Sequence, residues 1–146
     1  TMVPRLLEHP LAEVASAADI QTAYAPLRAA HEGFIELVRQ RAEILGRVVF
    51  VDLGDQTIDA AGKFVTYALY PTSAYSVVLT RSKSKCKISI GYNPWSNVER
   101  THNIAAICER HGGGGHPVVG AISVAADALE RAREIARDVA RELGTG

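Results

Sequence analysis

Hydrophobic positions along the chain change their period several times, and each change predicts an element. Tyr24, Leu27, His31, Phe34, Val38 and Leu45 follow a 3-4-3-4-7 spacing, which is one apolar stripe of a helix. Proline removes a hydrogen bond from a helix interior but is tolerated in the first turn. The regular part is therefore expected over residues 26–45, beginning near Pro26 and stopped by Gly46. Before it, residues 1–18 contain Pro4 and Pro10 and hold no period. They read as an irregular arm, a linker from something upstream, with Asp19 as a possible cap.

Residues 47–53 (RVVFVDL) are short, β-branched and apolar, the pattern of a buried strand. Residues 54–62 are turn-rich. Residues 63–70 (KFVTYALY) read as a helix, because Phe64, Tyr67 and Ala68 share a face. Residues 75–81 and 86–92 read as strands joined by a polar turn, hence a hairpin closed by Asn93-Pro94. Thr101 or Asn103 caps a short helix through Arg110, with Ile104, Ile107 and Cys108 inward. Four glycines follow, then a strand over 118–124.

Residues 125–143 carry the clearest helical pattern. Leu129, Ala132, Ala136, Val139 and Leu143 repeat at 3-4-3-4, and Glu130–Arg133, Glu134–Arg137 and Asp138–Arg141 are i,i+3 pairs, each contributing about 0.2–0.5 kcal/mol. The order predicts an α/β domain with a mixed sheet flanked by helices and preceded by a long linker helix. Residues 1–46 form the arm and linker helix, and 47–146 the domain.

Composition narrows the class. Apolar residues are 47% and charged residues 22% of 146, an ordinary globular balance. No apolar run is long enough to span a bilayer, and the N-terminus lacks a basic segment followed by an apolar core. Sixteen basic and sixteen acidic residues cancel, which excludes a strongly cationic nucleic-acid coat. Residues 1–73 hold 6 basic against 9 acidic residues and 74–146 hold 10 against 7, so an anion is expected on the second half. Cys86 and Cys108 lack metal-ligand spacing and read as inert core thiols in a reducing, cytoplasmic setting.

The stretch His111-Gly112-Gly113-Gly114-Gly115-His116-Pro117 stands between a helix end and a strand start. Without Cβ atoms the backbone can approach a ligand and aim several N–H groups at one phosphate. His116 adds a ring that hydrogen-bonds a phosphoryl oxygen and, when protonated, adds charge. The plainer reading is a flexible connector whose first glycine ends the helix. His111 reads as a helix-end residue.

Residues 103–121 (NIAAICERHGGGGHPVVGA) resemble the DHH-associated domain, the second domain of the DHH phosphoesterase superfamily, with its Gly-Gly-Gly-His signature after a short helix. Helix, glycines, His116-Pro117 and Gly120 match, and the resemblance extends over about 47–143. It implies a substrate-binding domain of a phosphoesterase acting on nucleotides or short single-stranded oligonucleotides, or on other small phosphorylated molecules. Gly112, Gly113, Gly114, Gly115 and His116 would hold the phosphate, helped by Asn93 and Arg81. It implies an N-terminal catalytic domain whose Asp-x-Asp and Asp-His-His motifs hold two divalent metals, usually manganese. Asp-His-His does not occur in these residues, and Asp52-Leu53-Gly54-Asp55 has another spacing, so neither metal ligands nor catalytic residues are expected on this chain. Whether the chain acts as an enzyme by itself stays open. The family arginine on the strand before the short helix aligns with Gly91, leaving Arg81, Lys83 or Arg100 to replace it, and Val118-Val119 stand where small alanines are common.

Other residues leave alternatives open. Arg81, Lys83, Lys85 and Lys87 alternate with Ser82, Ser84 and Cys86; they either guide a nucleic-acid backbone or protect a sheet edge from pairing. Trp95 either stacks a base or packs in the core. His31 is expected to be partly buried on the helix seam. A non-catalytic RNA-binding module of the same domain type, as occurs in alanyl-tRNA synthetase, is the alternative function. A third reading gives the last helix a role in self-association as a homodimer.

Overall fold

The computed structural model of the chain describes residues 2–58, 62 and 64–145. Its elements are α1 Met2–Glu8, α2 Leu11–Ser16, α3 Ala18–Arg41, β1 Ala42–Leu45, β2 Val48–Thr57, α4 Val65–Leu69, β3 Tyr75–Arg81, β4 Lys85–Tyr92, α5 Ile104–Arg110, β5 Gly114–His116, β6 Val119–Ala125 and α6 Leu129–Gly144. The strands form one mixed sheet in the order β1-β2-β3-β4-β6-β5, parallel between β2 and β3 and antiparallel elsewhere. This is the α/β class the sequence predicts, with a long helix ahead of the sheet. Among the described residues no helix is long and apolar enough to cross a membrane.

Side chains alternate across a strand, so the register divides the sheet into two faces. One face carries Phe50, Val77, Leu79, Ile88, Ile90 and Ile122, packed under Ala132, Ala136, Val139 and Leu143 of α6 and Ile104, Ile107 and Cys108 of α5. Fully burying one such large side chain contributes roughly 1.5–3 kcal/mol. The opposite face carries Val49, Val51 and Leu53 of β2, covered by Phe34 and Val38 of α3 and Val65 of α4. With helices on both sides, β2 needs the continuous apolar run seen in its sequence.

Several expectations are corrected. Residues 2–8 and 11–16 are helical, not an irregular arm, with Pro10 at the N-cap of α2. The long helix runs from Ala18 to Arg41 straight through Pro26. Residues 21–33 are exposed, so water reaches the carbonyl that the proline leaves unbonded. The stripe is consequently buried only at Phe34 and Val38, while Tyr24 and Leu27 are 51% and 68% exposed. Residues 42–45 leave the helix and pair antiparallel with 48–51. Gly46 does not cap a helix; its φ of +61° serves the tight turn into β2.

The strand predicted over 47–53 is β2, and it extends to Thr57. Residues 59–61 of the turn-rich stretch, Lys63 of the following helix, and residues 1 and 146 lie outside the described residues. The helix at 65–69, the hairpin and α5 stand where predicted, and Asn103 is the cap, its side chain accepting from Ala106 N. The last helix starts at Leu129, after β6 has continued to Ala125. Its predicted stripe packs against the sheet, with Leu129 partly buried and Ala132, Ala136, Val139 and Leu143 fully so. Glu130–Arg133 and Asp138–Arg141 pair as expected, at 2.7 and 3.1 Å. Glu134 pairs instead with Arg131, and Arg137 reaches Glu43 on β1 while its guanidinium lies over the Phe50 ring.

Candidate functional site

The helices α3 and α4 cover only the β1–β3 side of the second sheet face. Apart from Gly91, which Tyr67 of α4 covers, that face is open over β4, β6 and β5. The register places Lys85, Lys87 and Ser89 of β4, Val119, Ala121 and Ser123 of β6, and Gly114 and His116 of β5 on it. These positions are exposed or half-buried, while Cys86, Ile88, Ile90 and Ile122 between them are buried on the other side. Small residues at its centre leave a shallow floor with His116 on the outer strand.

The glycine stretch is an ordered part of that floor and not a free loop. Gly112 has φ +73°, the left-handed conformation that ends a helix, and its N–H donates to Glu109 O at 3.1 Å. Gly113 N–H donates to Cys108 O at 2.8 Å, so neither amide is available to an anion. A Cβ on Gly113 would meet the Ala121 carbonyl, and one on Gly115 the Val119 carbonyl and Gly120. At Gly120 a Cβ would stand 2.6 Å from Cys108 Sγ, where α5 lies against β6. Gly114 differs: its φ is unexceptional and nothing lies within 4 Å of a Cβ there. Close packing explains Gly113 and Gly115 and the left-handed helix end explains Gly112, while Gly114 opens onto the uncovered face beside His116.

His116 is exposed and its side chain has no hydrogen bond among the described residues. His111 is the C-cap of α5. Arg100 donates to the Pro117 carbonyl at 3.0 Å, which anchors one cation next to the β5–β6 turn. Arg81 is not part of this grouping. It is opposite Cys86, on the α6 face, at the end of the sheet away from the row Gly91–Val119–His116. Asn93 has another task as well. It is fully buried, its Nδ2 donates to Pro71 O and Ser73 O at 3.2 and 2.8 Å, and its Oδ1 accepts from Trp95 N at 3.0 Å. Both ends of its side chain are occupied by the loop it ties down.

Gly91, where the family arginine aligns, is buried under Tyr67. An added Cβ would collide with the Tyr67 hydroxyl, which accepts a hydrogen bond from Ser76 Oγ at 2.8 Å. Burial pushes the Tyr67 phenol above its ordinary pKa. The hairpin cations do not protect an edge, since β4 is paired on both sides by β3 and β6; the edges are β1 and β5. Lys85 and Lys87 therefore stand on the open face. Lys87 lies opposite Ser123, four residues along β6 from Val119, about 13 Å away at ~3.3 Å per residue.

Trp95 is 65% exposed, so it does not pack in the core. Its ring meets Phe64 edge-on at 5.3 Å and Tyr67 at 6.5 Å. His31 is exposed beside Gly62, Phe64 and Val65 and is not buried on the seam. Cys86 and Cys108 are buried free thiols whose pKa values burial raises, the opposite of an activated nucleophile. Among the described residues no three His, Cys, Asp or Glu side chains come together to hold a metal.

No family model and no curated protein matches the chain. Solved structures do. A pGpG-specific phosphodiesterase, PggH from Vibrio cholerae, superposes with a TM-score of 0.80 at 21% identity over 98% of this chain. The chain has the fold of a DHH-associated domain. The DHH domain of a member of the s1p family of ribosomal proteins shares it at TM-score 0.54, 12% identity and 85% of this chain. An exopolyphosphatase-related protein from Bacteroides fragilis gives 0.51, 12% and 97%. The chain spans 50%, 33% and 43% of those three proteins. Sequence reading singled out His116 and the glycines, but it missed the role of Tyr67 and the separate status of Gly114. For Tyr67 the available signal was the pairing of an aromatic helix with a glycine late in a strand, where a large side chain can lie against bare backbone.

Proposed function

We propose that this chain is the substrate-binding half of a metal-dependent DHH-type phosphoesterase, hydrolysing phosphoester or phosphodiester bonds in nucleotides or short oligonucleotides. The observation that carries this reading is His116, exposed and unbonded on the uncovered half-face beside the open Gly114. Its ring donates to a phosphoryl oxygen, and Arg100, anchored on Pro117, supplies charge in place of the arginine that Tyr67 excludes at Gly91. The contribution of this chain is positioning and charge stabilisation. Manganese has no ligand set among the described residues and belongs to the catalytic domain, with the attacking water. Two free buried thiols fit a cytoplasmic setting. In the enzyme carrying this chain, His116→Ala is expected to lower kcat roughly 100- to 1,000-fold with bound metal unchanged. Unchanged turnover would remove His116 from the mechanism.

Lys85 and Lys87 on the same open face favour a second reading, a non-catalytic RNA-binding module. Titrating short labelled RNA at rising salt separates the two, because a module that binds through phosphates weakens steeply with salt. Tight, salt-sensitive binding by this chain supports the module.

A further inference from the structure

We propose that Trp95 is a stacking platform for a nucleobase, so that the ligand of the open face is a nucleotide and not a base-free phosphate chain. This rests on the reading of that face as a phosphate site and adds its specificity.

Three features support it. Trp95 is the largest side chain of the domain and stands 65% exposed, so its ring is accessible to a ligand. It is also fixed from below: Phe64 and Tyr67 meet it edge-on, and the buried Asn93 holds its backbone N–H. Edge-to-face contact is the favoured geometry for such rings, and a platform fixed in advance binds at lower entropic cost. The third feature is its place. Trp95 packs on Tyr67, Tyr67 lies over Gly91, and Gly91 leads through Val119 to His116 in one row of the sheet. Gly91 and His116 are two strand spacings apart, about 10 Å, and Trp95 stands one aromatic contact further, its ring 6.5 Å from that of Tyr67, which puts the platform at the margin of the face that carries His116. Every base has a face to stack, so the platform selects nucleotides without choosing among bases.

The sequence holds one tryptophan, so its fluorescence reports this position without mutation. The chain is titrated with the dinucleotide pGpG and, separately, with inorganic tripolyphosphate, reading tryptophan emission and calorimetric Kd. Saturable quenching by pGpG and none by tripolyphosphate is expected. Trp95→Ala should weaken pGpG about 5- to 150-fold and leave tripolyphosphate unchanged, with Trp95→Phe restoring most of the affinity; circular dichroism checks the fold. Equal binding of pGpG by Trp95→Ala and the parent, with His116→Ala weakening both ligands, overturns the platform and keeps the phosphate site. Quenching that persists while His116→Ala changes nothing keeps the platform and overturns the phosphate site. Binding of neither ligand overturns both.

Discussion

The Tyr67 hydroxyl occupies the space in which a side chain at Gly91 would begin. Helix α4 and strand β4 thus approach as closely as a missing Cβ permits, and the Ser76 hydrogen bond fixes the contact. Gly91→Ala is expected to lower unfolding free energy by about 1–3 kcal/mol through overpacking, and Tyr67→Phe by about 1 kcal/mol through the lost hydrogen bond. Because the two residues touch, the double variant should lose less than the sum. Urea denaturation of the four proteins reads the coupling, and strict additivity would show that the contact is absent.

The glycines should separate by role. Gly113→Ala and Gly120→Ala each force an atom into backbone or into Cys108 Sγ and are expected to destabilise by about 1–3 kcal/mol. Gly114→Ala meets open space and should stay within about 0.5 kcal/mol while weakening phosphate-ligand binding. Thermal melts paired with titrations check both halves. A Gly114→Ala protein that binds normally would reduce this position to a neutral one.

Alkaline pH should destabilise the fold. Burial raises the pKa values of Cys86 and Cys108 above 9.0 and of Tyr67 above 10.0. Above these ordinary values the unfolded chain releases protons that the folded chain retains, so stability falls as pH rises. Melting temperature should hold near neutrality and decline from about pH 9. Cys108→Ala should soften the first part of the decline and Tyr67→Phe the later part.

Arg133 joins α6 to the sheet: it donates to Asp52 at 2.9 Å and Glu130 at 2.7 Å, and it also pairs with Asp55. These partners raise its pKa, Glu130 most, and Arg133 with Arg41 lowers that of Asp55. With the Asp52 side chain only 19% exposed, Arg133→Ala is expected to cost about 1–3 kcal/mol. Arg131→Ala, which breaks an exposed pair with Glu134, should change stability by less than about 0.5 kcal/mol. Chemical denaturation of the two variants makes the comparison.

Where burial enforced a period, the sequence was legible. The β4 pattern Lys85-Cys86-Lys87-Ile88-Ser89-Ile90 alternates because one side is packed and the other open, and the α6 stripe repeats because it lies on the sheet. Residues 42–45 (AEIL) were not legible, because only their pairing with β2 makes them a strand and their own composition suits a helix. Pro26 misled because solvent, which local rules do not see, satisfies its helix. At the site, His116 and the glycines stood out in sequence, but packing against β6 accounts for Gly113 and Gly115, and the end of α5 for Gly112. Asn93 resembled a ligand residue because a buried loop tie and a binding side chain have the same composition.

Strand β5 is three residues long and is paired on one side only, by β6. A histidine mounted on such a margin can yield outward to admit a bulky guest while β3 and β4, clasped on both flanks, hold still. Adaptability is thereby confined to the rim, and the hydrophobic interior does not have to rearrange when something docks.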